Sequence, residues 1–513
     1  MTAIKFRCCA VILLCCSMSI ASPAQSLTIL SSFNFGNNGS PGPSALIQGS
    51  DGNFYGTTFN AGNISSAFPK GAGTVFKVTS EGELTTLYTF GAASSDGANP
   101  NGLIQGTDGN FYGTTEFGGP ANLGTVFKIT PEGALTILHA FAGNDGSAPL
   151  APVTQATDGN FYGTTNGGGG NRGGTVFRMN AEGAVTTLYD FPASANGWIP
   201  HNLIQATDGD FYGTTYAGGS SGLGTVFKIT PSGTLTILIN FIGGNAFQPR
   251  AGLIQATDGN FYGTTSGSFG SVFRMTPDGT VTTPVVFGSR ITGEVPFGGL
   301  IQGKDGNLYG TAFTGGGFDA GTLFMLTLTG TFTPLEFFDA GTLFEPNTTL
   351  MQASDGNLYG TGLYGGAYGD GAIFRYTFGS TVPPTVPEIW GPAVNGASFQ
   401  RGIVSNSAIT IFGTTLSTIT DTWSNSIVNG QLPTTVDGVR VMVGDQPAYP
   451  SFISATQINA VAPNVRGSYA AQCYAERSHR PDIVALRVRA APASIKLPCN
   501  SLPTRSEDRV RLG

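Results

Sequence analysis

The sequence predicts an all-β chain built around a seven-bladed β-propeller with four-stranded blades, followed by a smaller β domain. Three observations predict the propeller. The word "TDGNFYGTT" stands at 107–115, 157–165 and 257–265, with "TDGDFYGTT" at 207–215. Its Asp recurs at Asp51, Asp108, Asp158, Asp208, Asp258, Asp305 and Asp355, a period of about fifty residues that marks a propeller or solenoid. The last copy also lacks a final strand, and the N-terminal region carries a spare one.

The fourth copy, "LIQATDGDFYGTTYAGGSSGLGTVFKITPSGTLTILINF", shows what one unit contains. Leu203–Thr207 and Phe211–Thr215 read as strands joined by Asp208-Gly209, a pair suited to the positive φ of a type I′ hairpin turn. "GTVFKIT" and "TLTILINF" are two more strands, rich in β-branched and aromatic residues. Pro231 and Gly233 make the turn between them. Four antiparallel strands make one blade. Ordering such a unit costs on the order of 50–100 kcal/mol of conformational entropy. A buried aromatic or Ile returns only about 1.5–3 kcal/mol, so each blade must bury both faces against neighbours.

A closed ring does this without an exposed end. Copy seven reads "GAIFRYTF" and then runs into "GSTVPPTVP", with no fourth strand. "SLTILSSFNF" at 26–35 matches "ALTILHAF" and "TLTILINF" in copies two and four. The expectation is a propeller over 25–378 whose N-terminal strand completes the last blade.

Ahead of it, Lys5 and Arg7 precede an apolar run and small residues, the layout of a cleaved secretory signal over 1–24. No other stretch has the continuous apolar length of a membrane-spanning helix. Charged residues are 11% of the chain against a typical value of roughly 25%. The formal net charge is −7, and removal of Lys5 and Arg7 makes it more negative by two. Such a body repels nucleic acid. Four of the 6 cysteines leave with the signal, so the repeats are no disulfide scaffold. A monomer is expected.

The pattern "L-I-Q-x-x-D-G-N-[FL]-Y-G-T-T", then "G-T-[VL]-F-[KR]" and "G-x-[LV]-T-x-L-x-x-F", resembles the GloVer tandem repeat of bacterial exported proteins over residues 26–378. The resemblance implies secretion and a variable C-terminal attachment module, and it supplies no catalytic residues. After the Pro-rich linker 379–387, the segments "NGASF", "ITIFGTTL", "LPTTVDGVRVMV" and "TQINAVAP" resemble the Ig-like domain that closes many exported bacterial proteins, here at 388–465. From Arg466 the pattern departs. Residues 466–513 hold eight arginines and both remaining cysteines, Cys473 and Cys499. They read as a frameshifted or otherwise non-native end, with a basic disordered tail as the alternative.

The repeated turns fall on one face of the ring and the variable loops on the other, so a ligand is expected on the variable face near the channel mouth. Entering the first strands there are Asn101, His201, Arg250, Phe297 and Asn347. Trp198, Tyr216, Phe313, Tyr364 and Tyr368 add aromatic surface, and Asp319 adds a charge. Trp198, His201, Tyr216, Arg250, Phe313, Asp319, Tyr364 and Tyr368 are thus the candidate ligand-binding set, for an extracellular glycan, peptide or cell-surface component. The bland reading is that these loop aromatics pack on one another. His201 has no second His for a triad or metal site, so no catalytic residue, cofactor or metal is assigned. The alternative is a propeller lyase or hydrolase using Glu294 and Asp319 as acid and base. Seven glutamines, Gln48 through Gln352, are expected to bond neighbouring blades, and the Lys or Arg of strand three to pair with the acidic turns.

Overall fold

The Asp-Gly turn organises each blade, and the third shows how. Gly159 has φ 82°, in the left-handed region. The Asp158 carboxylate accepts the Asn160 backbone N–H at 3.0 Å, the Asn160 Nδ2 at 2.9 Å and the Tyr162 hydroxyl at 2.8 Å. Burial pushes this carboxyl up, but those donors and the Arg178 charge outweigh burial and hold it below its usual range. Lys77, Lys228 and Arg274 lie 4.0, 2.9 and 3.8 Å from Asp51, Asp208 and Asp258 respectively.

The structure, a computed structural model, describes residues 26–378 apart from 36–41, 65–67, 94, 193–197, 245 and 290, together with strand segments between 388 and 489. Six blades are four-stranded antiparallel sheets in chain order. In the fourth, Trp198–Gln205, Phe211–Ala217, Thr225–Ile229 and Leu235–Asn240 run from the innermost strand to the outermost. The seventh comprises Met351–Gln352 with the short preceding segment Leu343–Pro346, both paired with Leu358–Gly365, then Ala372–Thr377 and Ser26–Ser32. Ser26 pairs with Thr377 and Ser32 with Ala372, so the N-terminal strand completes the last blade as the sequence predicts.

Three contacts repeat between neighbouring blades. A Phe at the end of each outer strand meets the strand-three Phe of the next blade, with ring centroids 5.2–5.5 Å apart at all seven interfaces. Phe33 makes that contact with Phe76 and closes the circle. The repeated Tyr stacks on the first aromatic of the next blade's word at 4.0–4.4 Å, as in Tyr162 on Phe211. Leu308 and Leu358 take that place at the two other interfaces. Each of the seven glutamines accepts a backbone N–H from the preceding blade at 2.8–2.9 Å, ending with Ser354 to Gln48.

The nine-letter word is thereby accounted for residue by residue. In 157–165, the Thr157 N–H donates to Gln205, Asp158 and Gly159 turn the chain, and Asn160 locks the turn. Phe161 meets Tyr112, Tyr162 meets Phe211, the Thr164 hydroxyl donates to the His201 carbonyl, and the Thr165 and Thr175 hydroxyls bond each other. Gly163 is required for space: a Cβ there would sit 2.5 Å from Phe177 Cζ.

Past residue 378, Ala408–Thr414 pairs with Gln457–Val461, which pairs with Tyr449–Ile453, all antiparallel. Val439–Val443 pairs in parallel with Val484–Arg489, which pairs antiparallel with Gln472–Arg477. The last two strands belong to the Arg-rich tail, where Val484, Leu486 and Val488 alternate with Ala and Arg in the period of a strand. Residues 1–24, the linker 379–387 and most of 388–465 lie outside the described residues.

The Gly163 contact makes a prediction. Gly163→Ala should destabilise the protein by about 1–3 kcal/mol through overpacking. With Phe177→Leu added, the double variant should lose less than the sum of the two single losses in chemical denaturation. Simple additivity would remove Phe177 as the reason for the glycine.

Candidate functional site

At the end of the ring opposite the Asp-Gly turns, each blade begins with a residue of positive φ followed by proline. The seven pairs are Gly42-Pro43, Asn99-Pro100, Ala148-Pro149, Ile199-Pro200, Gln248-Pro249, Val295-Pro296 and Glu345-Pro346, with φ from 50° to 103°. Backbone N–H groups of Asn99, Ala148, Gln248, Val295 and Glu345 donate to the preceding blade at 2.7–3.0 Å. The prolines pack where only glycine leaves room: a Cβ on Gly124 or Gly224 would lie 2.7 or 2.9 Å from Pro149 or Pro249 Cδ. Six of the seven positive-φ residues are not glycine, and Ile199 and Val295 are β-branched, where this conformation is a genuine outlier. Such strain persists only where surrounding structure enforces it, and it clusters at functional sites.

The residue after each proline is aimed at the channel. Ser44, Asn101, Leu150, His201, Arg250, Phe297 and Asn347 all line one mouth, a cavity of about 780 Å³. The residue after the repeated word adds a second ring, with Asn166, Tyr216, Phe313 and Leu363 lining an overlapping cavity of about 690 Å³ beside His201 and Arg250.

The two rings interlock on the side formed by blades four to seven. The Arg250 guanidinium lies 4.9 Å from the Tyr216 ring centre and 5.0 Å from that of Phe297, within cation–π range of both. Phe297 packs on Phe313 at 4.7 Å, and Tyr364 stacks on Phe344 at 5.2 Å. Three residues that line this mouth each carry a buried side-chain atom, Asn166 Oδ1, His201 Nε2 and Asn347 Oδ1, with no hydrogen-bond partner among the described residues. Burial, reinforced by the Arg250 charge, lowers the His201 pKa from the ordinary 6.5 to about 4, so the imidazole is neutral at pH 7.

Of the candidate residues, His201, Tyr216, Arg250 and Phe313 line the smaller cavity and Tyr364 the larger. Trp198 is exposed at the start of its strand and Tyr368 on a turn, and they and Asp319 lie outside both linings. Glu294 and Asp319 also lie outside, and no carboxylate is among the described lining residues. Asn166, Ile199, Leu150 and Leu363 escaped the sequence reading. Their signal is there in the recurrent proline and in the register of the repeated word.

The model of the Gloeobacter/Verrucomicrobia repeat family matches this chain over residues 17–203, 193–354 and 269–426. The chain belongs to that family. In this Gloeobacter/Verrucomicrobia repeat protein the matches cover every blade. A search of the curated proteins finds no match. Among solved structures, it is similar to virginiamycin B lyase from Staphylococcus aureus at 16% identity and a TM-score of 0.50, covering 69% of this chain and 99% of that one. It is also similar to the extracellular domain of a putative hybrid two-component system from B. thetaiotaomicron, at 11% identity and a TM-score of 0.48, covering 76% and 45%. At this identity the lyase likeness shows the fold alone.

NMR titration of the His201 ring should give a midpoint near 4, and Arg250→Gln should raise it by removing the neighbouring charge. The unfolded chain takes this proton first. The contribution to stability is therefore lost as pH falls from about 6.5 towards 4, and it is present in full above that window. A midpoint at the ordinary value would show that the imidazole is open to solvent.

Proposed function

We propose that this protein is an exported, non-enzymatic binding module that holds an extracellular glycan or peptide ligand at the variable mouth of the propeller. The observation that carries the reading is that three residues lining one cavity, Asn166, His201 and Asn347, each hold a buried polar atom without a partner among the described residues, beside Arg250 and a wall of aromatics. A buried polar atom without a partner costs about 1–3 kcal/mol. Three in one place are a cost that a ligand's hydrogen-bonding groups offset, and the strained Ile199-Pro200 and Val295-Pro296 pairs hold His201 and Phe297 in position for it.

Catalysis finds less support. Acid–base hydrolysis needs a proton donor and acceptor at the bond broken. The described lining offers one neutral imidazole and no carboxylate. Export rests on the signal-like first 24 residues, and the Ig-like domain serves as the spacer or attachment to the cell surface.

Glycan and peptide arrays probed with the full chain test this reading. Retained glycan or peptide should be lost on combined His201→Ala and Asn347→Ala substitution and kept on Trp198→Ala. Binding indifferent to the double substitution would move the site elsewhere, and ligand turnover would favour the lyase or hydrolase alternative.

A further inference from the structure

Arg250 stands apart in this mouth. It is exposed, and among the described residues it is the sole charged side chain of the lining and has no carboxylate within 4.0 Å. This occurs in a chain with 31 acidic residues and 24 basic ones. The guanidinium lies within cation–π distance of both the Tyr216 and Phe297 rings, and its Nη2 reaches the Tyr216 hydroxyl at 3.5 Å. A planar fork fixed in this way matches a carboxylate and loses little further freedom on binding one.

Around the fork the demand is for hydroxyl groups. The two Asn carbonyl oxygens accept, and a neutral imidazole nitrogen accepts or donates according to its tautomer. Phe313, Phe297 and Tyr364 provide apolar faces beside them. One monovalent cation, several unpartnered acceptors and flat aromatic surface together describe a polyhydroxylated ring bearing one carboxylate. A doubly charged phosphate would call for a second cation, and none lines the cavity among the described residues. An acidic peptide would satisfy Arg250 but brings few hydroxyls for Asn166 and Asn347.

Building on the binding function proposed above, we infer that the ligand is an acidic glycan, with the carboxylate of a uronic acid residue on Arg250 and its ring hydroxyls on Asn166, His201 and Asn347.

Titration calorimetry of the full chain tests this with four probes: an oligogalacturonate, its methyl ester, a neutral oligoglucose and an oligoglutamate. The oligogalacturonate should bind, and methyl esterification or Arg250→Gln should each weaken it by at least about tenfold. Arg250 is exposed, so this variant should melt with the wild type. Equal binding of the acid and its ester, or indifference to Arg250→Gln, overturns the carboxylate inference. If His201→Ala/Asn347→Ala still abolishes that binding, the mouth remains the binding site and only the ligand class is wrong. Preference for oligoglutamate overturns the sugar, and no binding of either saccharide overturns the inference outright. Blank glycan and peptide arrays would overturn the binding function with it.

Discussion

The structure depends on a ring of aromatic contacts that has no free end. Each outer-strand Phe needs a strand-three Phe on the next blade, and each blade's Tyr needs a flat or apolar partner beyond it. In a linear array the first and last blades would expose these groups to water. Here the first residues of the propeller serve the last blade: Ser26–Ser32 pairs with Ala372–Thr377, and Phe33 is fully buried against Phe76 of the first. Stability is therefore a property of the closed circle, since no blade has a hydrophobic core of its own.

Closure also explains how sequence variation is distributed. The end with the Asp-Gly turns is constrained by blade-to-blade bonds through Gln and Tyr, and by the turn itself. At the opposite end the constraint lies in the backbone, where a left-handed residue and a proline set the path and the following side chain is free to differ. Ser44, Asn101, Leu150, His201, Arg250, Phe297 and Asn347 occupy equivalent places, and only the two asparagines share their chemistry. A seven-fold scaffold thus presents an asymmetric mouth, cationic and aromatic on the side of blades four to seven.

Much of this was legible in the sequence because it is local and repeated. The Asp-Gly turns, the four strands of "LIQ", "FYGTT", "GTVFK" and "LTILINF", and the spare strand at 26–35 are read from turn chemistry and alternation. The positive φ at Ile199 and Val295 was not legible, because both residues and the prolines after them disfavour it by themselves. It is imposed by the neighbouring blade. Trp198 and Tyr368 stood out as aromatics in segments that read as variable loops, although Trp198 opens a strand, and the mouth is defined by position in the strand register. Asn166 was missed because nothing in its own segment marks an unpartnered amide. The meeting of Asn166, His201, Arg250 and Asn347, from four blades, is a consequence of ring geometry that spacing along a chain does not carry.

Hydrogen exchange on a chain lacking residues 26–33 tests circular closure most directly. The account predicts faster exchange at Ala372–Thr377, which loses its strand partner, and at Thr74–Val78 in blade one, which loses Phe33, together with a lower melting temperature. Unchanged protection at both segments would contradict it.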